Sequence, residues 1–110
     1  NDDDIRFALE SVGLDPEDKR KVKAYSLGMK QKLGIAAAIM EHPDIIILDE
    51  PFNALDEDSV KIVKELIFNE KRHGALIILA CHDSASLYEL SDMVYEIKEG
   101  VISNEIRKEA

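Results

Sequence analysis

The sequence predicts an α/β fold built on a parallel pair of strands. Ile45–Leu48 and Ala75–Ala80 are short aliphatic runs of strand length, the first bounded by Pro43 and Pro51. Continuous apolar runs of this kind read as strands buried on both faces. Between them, apolar residues recur at helical spacing from Asp56 to His73, a stretch long enough for the crossover that joins parallel strands. A turn signal at Gly100 between two further apolar runs adds a C-terminal hairpin.

Each element has a local reason. The acids Asp2, Asp3 and Asp4 suit a helix N-terminus, Gly13 suits its end, and Ile5, Ala8, Leu9 and Val12 share one face. Asp15-Pro16 reads as an N-cap followed by a first-turn proline, opening a short charged helix. The chain turns at Tyr25-Ser26, and a helical pattern runs from Leu27 to about Glu41 with Met29, Leu33, Ala36, Ala37 and Met40 on one side. Pro43 ends it. Asp56-Glu57-Asp58 caps the crossover helix, which carries Val60, Val63 and Ile67, widened by Ile62 and Leu66, and closes on Lys71-Arg72-His73 before Gly74. A short helix is expected near Ser84–Leu90, then strands at Met93–Ile97 and Val101–Ser103.

With 110 residues, 45% of them hydrophobic, the chain holds one core and at most one domain. It has no tryptophan and 5% aromatics, so that core is aliphatic. The formal charge of -9 argues against a protein whose main task is to coat nucleic acid or anionic lipid. The local basic clusters, Lys19-Arg20-Lys21 and Lys30 with Lys32, read as solvated faces. The lone Cys81, inside Ala-Leu-Ile-Ile-Leu-Ala-Cys, allows no internal disulfide and reads as a small buried thiol in a reducing cytosol. The longest apolar run, the eight residues Leu33–Met40, is too short to span a bilayer, and no charged-then-apolar leader is present, so a membrane connection is expected only through a partner.

Three features can carry chemistry. Asp49 and Glu50 follow the first strand directly, at the carboxyl end where α/β proteins bind ligands. An Asp there can hold Mg2+, a cation that prefers hard oxygen ligands and retains waters. A neighbouring Glu, pointing elsewhere, can orient or deprotonate an attacking water. A single acid after a strand often does no more than cap the next helix; four aliphatics, Asp, Glu and Pro together favour the functional reading. His82, just past the second strand, can reach the same crevice and contact a terminal phosphate, although an isolated histidine at such a place is commonly structural. His42 and His73 read as structural. Third, Ser26 is a good N-cap and Gly28 lets a ligand approach the first helical turn, where free N–H groups favour anions.

In this order and spacing, these features resemble the second half of an ATP-binding cassette (ABC) ATPase domain, a P-loop NTPase fold. Tyr25-Ser26-Leu27-Gly28-Met29-Lys30-Gln31 resembles the family's signature motif and Ile45–Pro51 its Walker B strand. Asn53-Ala54-Leu55-Asp56 is similar to the D-loop, Cys81-His82-Asp83 to the switch-histidine segment, and Leu90–Ile102 to the closing hairpin. The resemblance covers essentially the whole chain. It implies that Asp49 serves the Mg2+ site, Glu50 is the catalytic base and His82 contacts the γ-phosphate. It also implies that Ser26 and Gly28 touch ATP held on a different subunit, with Leu27, Gln31 and Asp56 among the nucleotide-site residues. Asp56, with Ala54 and Leu55, would lie at the dimer interface. The implied partners are a second nucleotide-binding domain and a membrane permease, with no nucleic acid. The implied location is cytoplasmic, peripheral at the inner face of the membrane.

Several positions depart from the commonest family pattern. Leu27 and Met29 replace a glycine and a glutamine of the signature, Asn53-Ala54 stands where Ser-Ala or Asn-Gly is usual, Glu57 stands where Pro is frequent, and Ser86 stands where many members carry Glu. The form Tyr-Ser-x-Gly-Met-Lys-Gln is similar to a subgroup that exports peptide antibiotics such as bacitracin and lantibiotics. No Gly-x-x-x-x-Gly-Lys-Ser/Thr loop occurs among the five glycines, and no strand precedes residue 44 to launch one. The chain therefore looks like a single partial domain, 1–43 helical and 44–110 running from Walker B to the hairpin, with the phosphate loop and glutamine loop elsewhere. Alone it is expected neither to bind ATP tightly nor to hydrolyse it. Its unpartnered strands are expected to self-associate. The competing readings are a soluble ABC ATPase of translation or DNA repair, a non-catalytic regulatory cassette, and a helicase with an Asp-Glu box. The last of these leaves Ser26-Leu27-Gly28 and the spacing of His82 unexplained.

Overall fold

A computed structural model describes residues 2–108 of the chain. The order is α1 (Asp2–Ser11), a single 3-10 turn (Val22–Ala24), α2 (Leu27–Ile39), β1 (Ile45–Asp49), α3 (Glu57–Arg72), β2 (Leu76–Ala80), α4 (Ser84–Leu90), β3 (Met93–Lys98) and β4 (Val101–Arg107). These elements form two compact units, one ending at Ala80 and one beginning at Cys81.

In the first unit β1 and β2 pair in parallel, in register from Ile45 opposite Leu76 to Asp49 opposite Ala80. The α3 crossover makes this possible, and both its ends suit the macrodipole. Asp56 caps it by accepting from the Ser59 N–H at 2.8 Å, Glu57 and Asp58 lie in its first turn, and Lys71 and Arg72 lie in its last. Gly74, at φ +95°, then takes the left-handed conformation that turns the chain into β2. Helix α1 ends in a similar way: Gly13 at φ +81° lets the Leu14 N–H reach back to the Leu9 carbonyl at 2.9 Å.

The core lies on one side of the two-stranded sheet. Ile46 and Leu48 are buried, as are Val63 and Ile67 of α3 and Ile35, Ala36 and Ile39 of α2. Helix α2 packs on β1 and α3 on β2, while α1 packs on α2. The opposite face is open: Ile45 is 58% exposed, Ile47 69%, Leu76 58% and Ile78 50%. The expectation of strands buried on both faces is corrected here. The pleat sends alternate side chains to opposite faces, and among the described residues the helices cover one of them.

Three further expectations change. No α-helix follows Pro16. Asp15 instead closes a turn, its Oδ1 accepting from the Glu17 N–H at 2.8 Å and its carbonyl from the Asp18 N–H at 3.1 Å. Residues 17–21 carry no apolar stripe with which to dock a helix, and a short helix without docking is marginal. Helix α2 turns Ile35, Ala36 and Ile39 inward, leaving Ala37 exposed and Leu33 half-buried. The helix is apolar almost all round, so its sequence does not determine which face is buried. Cys81 lies just beyond β2 and is half-buried rather than part of the strand.

In the second unit β3 and β4 form an antiparallel hairpin, with a register shift between Glu96 and Ile97. Its turn has Glu99 at φ +52° and Gly100 at φ +79°, the paired left-handed residues of a type I′ turn. Strand β4 runs on to Arg107, beyond the Ser103 limit expected from the apolar pattern, because ladder hydrogen bonds do not require apolar side chains. Asp83 caps α4, accepting from the Ala85 N–H at 3.2 Å and from the Ser86 hydroxyl at 2.7 Å.

One-sided burial separates two substitutions of similar size. Val63→Ala, at a fully buried position, is expected to cost roughly 2 kcal/mol in urea denaturation. Ile47→Thr, on the open face, is expected to stay within about 0.5 kcal/mol of wild type when both are measured at a protein concentration low enough to keep the chain monomeric. Equal losses at the two positions under that condition would show that the Ile47 face is covered within the monomer.

Candidate functional site

The site is assembled where β1 ends. Asp49 is exposed at the last position of the strand, and Glu50, half-buried, follows it. Glu50 adopts φ +47°, a left-handed conformation that costs a non-glycine residue on the order of 1–3 kcal/mol unless its surroundings impose it. The surroundings do so from three sides. The Glu50 N–H donates to the Ala80 carbonyl at 2.7 Å, extending the parallel ladder one residue past the strand. The Glu50 carbonyl accepts from Gln31 Nε2 of α2 at 2.6 Å and from the Asn53 N–H at 3.2 Å. Pro51, fully buried, anchors the turn that follows. This left-handed residue turns the chain sharply at the point where two adjacent carboxylates leave the strand.

A second part of the site brings the start of α2 against residues 54–56. Ser26 caps α2, its Oγ accepting from the Met29 N–H at 3.1 Å, as its position predicts. Ser26, Gly28, Lys32, Ala54, Asp56 and Ser59 line a cleft of about 190 Å³. Gly28 sits so close that a Cβ placed on it would lie 2.8 Å from the Ala54 carbonyl oxygen. Ala54 is itself at φ +63°, so the Asn-Ala form of this turn places a Cβ where glycine would be unstrained. Hydrogen bonding from the Ser59 N–H, and then from its side chain, holds the Asp56 carboxyl below the usual carboxylate range; the Lys32 charge adds to this and slight desolvation opposes it.

The structure thus places Ser26, Gly28 and Asp56 around one cleft and joins Gln31 to Glu50. Leu27, the first residue of α2, is largely exposed. His82 belongs to the second unit, exposed at a bend between β2 and α4. Beside it, the Asp83 N–H donates to Cys81 Sγ at 3.3 Å. Among the described residues no three His, Cys, Asp or Glu side chains converge as a metal-binding group. Asp49 supplies the kind of hard oxygen that Mg2+ takes, and such an ion keeps waters and phosphate oxygens for its remaining ligands.

One contact was not anticipated from the sequence, between a buried glutamate and an exposed histidine. Glu70 is 3% exposed, and its Oε1 lies 2.7 Å from Nδ1 of His42, which stands at φ +50° in the turn between α2 and β1. The clue was available in the spacing: Val63, Ile67 and Glu70 follow the i, i+4, i+7 stripe that faces the core.

Residues 1–53 match the family model described as ABC transporter. An uncharacterized ABC transporter ATP-binding protein of Bacillus subtilis, YybJ, is 44% identical over 100 residues, covering 91% of this chain and 46% of its own length. The lantibiotic transport ATP-binding protein SrtF of Streptococcus pyogenes is 43% identical, over 86% of this chain and 41% of its own. The bacitracin transport ATP-binding protein BcrA of Bacillus licheniformis is 42% identical, over 93% and 34% respectively. Along nearly its whole length the chain is similar to the ATP-binding proteins of ABC transporters. The fold agrees with that of solved ABC cassettes. The dimeric cassette MJ0796 in a post-hydrolysis state bound to ADP and Pi superposes with a TM-score of 0.82 at 23% identity, over 92% of this chain and 44% of that one. A second dimeric MJ0796 structure superposes at 0.85 and 22% identity, over 96% and 46%. This chain therefore spans about half, or less, of the ABC proteins it matches.

The close packing of Gly28 yields a test whose sign opposes helix propensity. Glycine to alanine within an exposed helix normally stabilises by up to about 1 kcal/mol. Here the added methyl meets a backbone oxygen, and Gly28→Ala is expected to destabilise by roughly 1–3 kcal/mol in urea denaturation. Stabilisation would show that the two segments do not pack this closely.

Proposed function

We propose that this chain is the C-terminal part of the nucleotide-binding domain of an ABC transporter and that the whole domain hydrolyses ATP to drive a membrane permease. The observation that carries the reading is the strand-end pair Asp49-Glu50, with the Glu50 backbone held on both its N–H and its carbonyl. In this reading Glu50 is the general base for the attacking water and Asp49 holds Mg2+, which supplies neutralisation of phosphate charge when bound. His82 donates to the terminal phosphate. Ser26, Leu27 and Gly28 present the N-terminus of α2 to a nucleotide bound by a second nucleotide-binding domain, with Asp56 at the contact between the two. Likeness to SrtF and BcrA supports peptide-antibiotic export as the transport task.

The domain division follows from this. Residues 1–43 supply the signature region and 44–110 the segment from Walker B to the hairpin, while the phosphate-binding loop and glutamine loop lie in the part of the cassette that these 110 residues do not contain. Because phosphoryl transfer depends on positioning and charge neutralisation, the chain by itself is inactive and binds ATP weakly. Among the described residues no helix is long and apolar enough to cross a membrane. We place the domain at the inner face of the membrane through its permease.

The deciding experiment is ATPase activity of a whole cassette containing this segment, beside its Glu50→Gln form. Turnover that Glu50→Gln lowers by at least about 100-fold, with ATP binding retained, supports the reading. A cassette that binds ATP and never turns it over would instead be a regulatory module. For the isolated chain we propose self-association of two copies through the open face carrying Ile45, Ile47, Leu76 and Ile78 and the edges of its two-stranded sheet. Light scattering is expected to show a mass that rises with concentration, and a constant monomer mass at high concentration would refute it.

A further inference from the structure

Gln31, expected among the nucleotide-site residues, bonds the backbone of Glu50. Its Nε2 donates to the Glu50 carbonyl at 2.6 Å across 19 residues of sequence, from a half-buried position one turn into α2. We propose that Gln31 is a positioning residue for Glu50: it holds the peptide that aims the carboxylate and acts on ATP hydrolysis only through that residue. This rests on the reading of Glu50 as the base.

Three observations carry it. First, Glu50 is at φ +47°, so the direction in which its side chain leaves the backbone depends on a conformation that an unrestrained Glu seldom adopts. Second, Gln31 makes a short contact to the carbonyl side of this peptide. The bond to Ala80 grips the N–H side of Glu50, and the Asn53 N–H lies 3.2 Å from the carbonyl, near the long end of the hydrogen-bond range, within a turn that itself contains the left-handed Ala54. Gln31 is the shorter of the two carbonyl contacts and comes from a separate, rigid element. Third, Gln31 lies five residues after Ser26 on the same helix, whose first turn lines the cleft with Ala54 and Asp56. A shift of α2 that followed occupancy of its N-terminus would reach the Glu50 peptide through this side-chain hydrogen bond. Because small misplacements of a reacting group can cost two orders of magnitude in rate, such a bond is enough to gate the chemistry.

The test uses Gln31→Met, which keeps length and flexibility and removes the donor, in a whole cassette containing this segment. The expected result is a kcat lowered roughly 10- to 100-fold with KM for ATP within about twofold of wild type. In the Glu50→Gln background the same substitution is expected to lower the residual rate less than twofold, because the group through which it acts is already gone. An unchanged kcat, a raised KM with kcat retained, or a full additional loss in the double variant would each overturn the proposal; the raised KM would return Gln31 to direct nucleotide contact. Amide hydrogen exchange without nucleotide supplies an independent readout. Gln31→Met is expected to speed exchange at the Glu50 and Asn53 amides at least tenfold, and unchanged rates there would also overturn the proposal. If the wild-type cassette shows no turnover, the proposed function fails, and the exchange result still decides whether Gln31 restrains this turn.

Discussion

The hydrogen bond from the Glu50 N–H to the Ala80 carbonyl joins the two ends of the first unit's architecture. It exists only because β1 and β2 run parallel in the register that sets Asp49 opposite Ala80. That register in turn needs α3 as the crossover and needs Val63 and Ile67 to seat the helix against the strands. The bond lies one residue beyond the strand, where the chain must leave the sheet. It fixes the place at which the two carboxylates diverge. Had the strands paired one residue out of step, Ile46 and Leu48 would have exchanged faces with Ile45 and Ile47, and the acidic pair would have left the sheet in a different direction.

Backbone strain is concentrated in the same short stretch. Glu50 and Ala54 are both left-handed, four residues apart, in a turn anchored by the buried Pro51. Neither conformation is favourable alone, and each is held by contacts from other elements: Ala80 and Gln31 for Glu50, and the close approach of Gly28 beside Ala54. Strain that persists because several elements impose it is a common property of sites where a side chain must be aimed. The absence of a side chain at Gly28 therefore has a packing reason in addition to the ligand-approach reason read from the sequence. The start of α2 and the turn after β1 can meet only if that position carries no Cβ.

Electrostatics are handled locally rather than by the overall acidic surface. Helix termini carry the matching charges, and Asp56 and Asp83 serve as caps. Ser86, which departs from the Glu common at its position in the family, completes the cap of α4 by donating to Asp83. The buried carboxyl of Glu70 is satisfied by His42 across the turn between α2 and β1, which ties the end of α3 to the segment that delivers β1. A buried carboxylate without such a partner would be costly, so the pair is a condition of placing Glu70 on the core stripe. The open apolar face of the β1–β2 sheet is left without a cover among the described residues, consistent with a chain that spans about half of its relatives.

The sequence by itself determined the order of the elements that form and most of their boundaries, the parallel pairing, the caps at Ser26 and Asp56, and the resemblance to ABC cassettes through the joint spacing of its motifs. These are local or nearly local properties: aliphatic runs, cap residues, glycine stops and a crossover of sufficient length. Tertiary structure decided the rest. Which face of α2 is buried was not legible, because Leu33–Met40 is apolar on every side and only packing selects Ile35, Ala36 and Ile39. The charged stretch after Pro16 read as helix from its capping residues alone, but it has no apolar stripe to dock. The strands read as buried on both faces because an aliphatic run records what a strand is suited to, not how many neighbours cover it. Gln31 read as a nucleotide-site residue from its place in a motif; its bond to the Glu50 carbonyl was not legible, because the partner is a backbone atom that the identities of the side chains do not reveal. Helical periodicity and capping are written in residues within one turn of each other, while contacts across 19 residues, such as this one, exist only once the chain has folded.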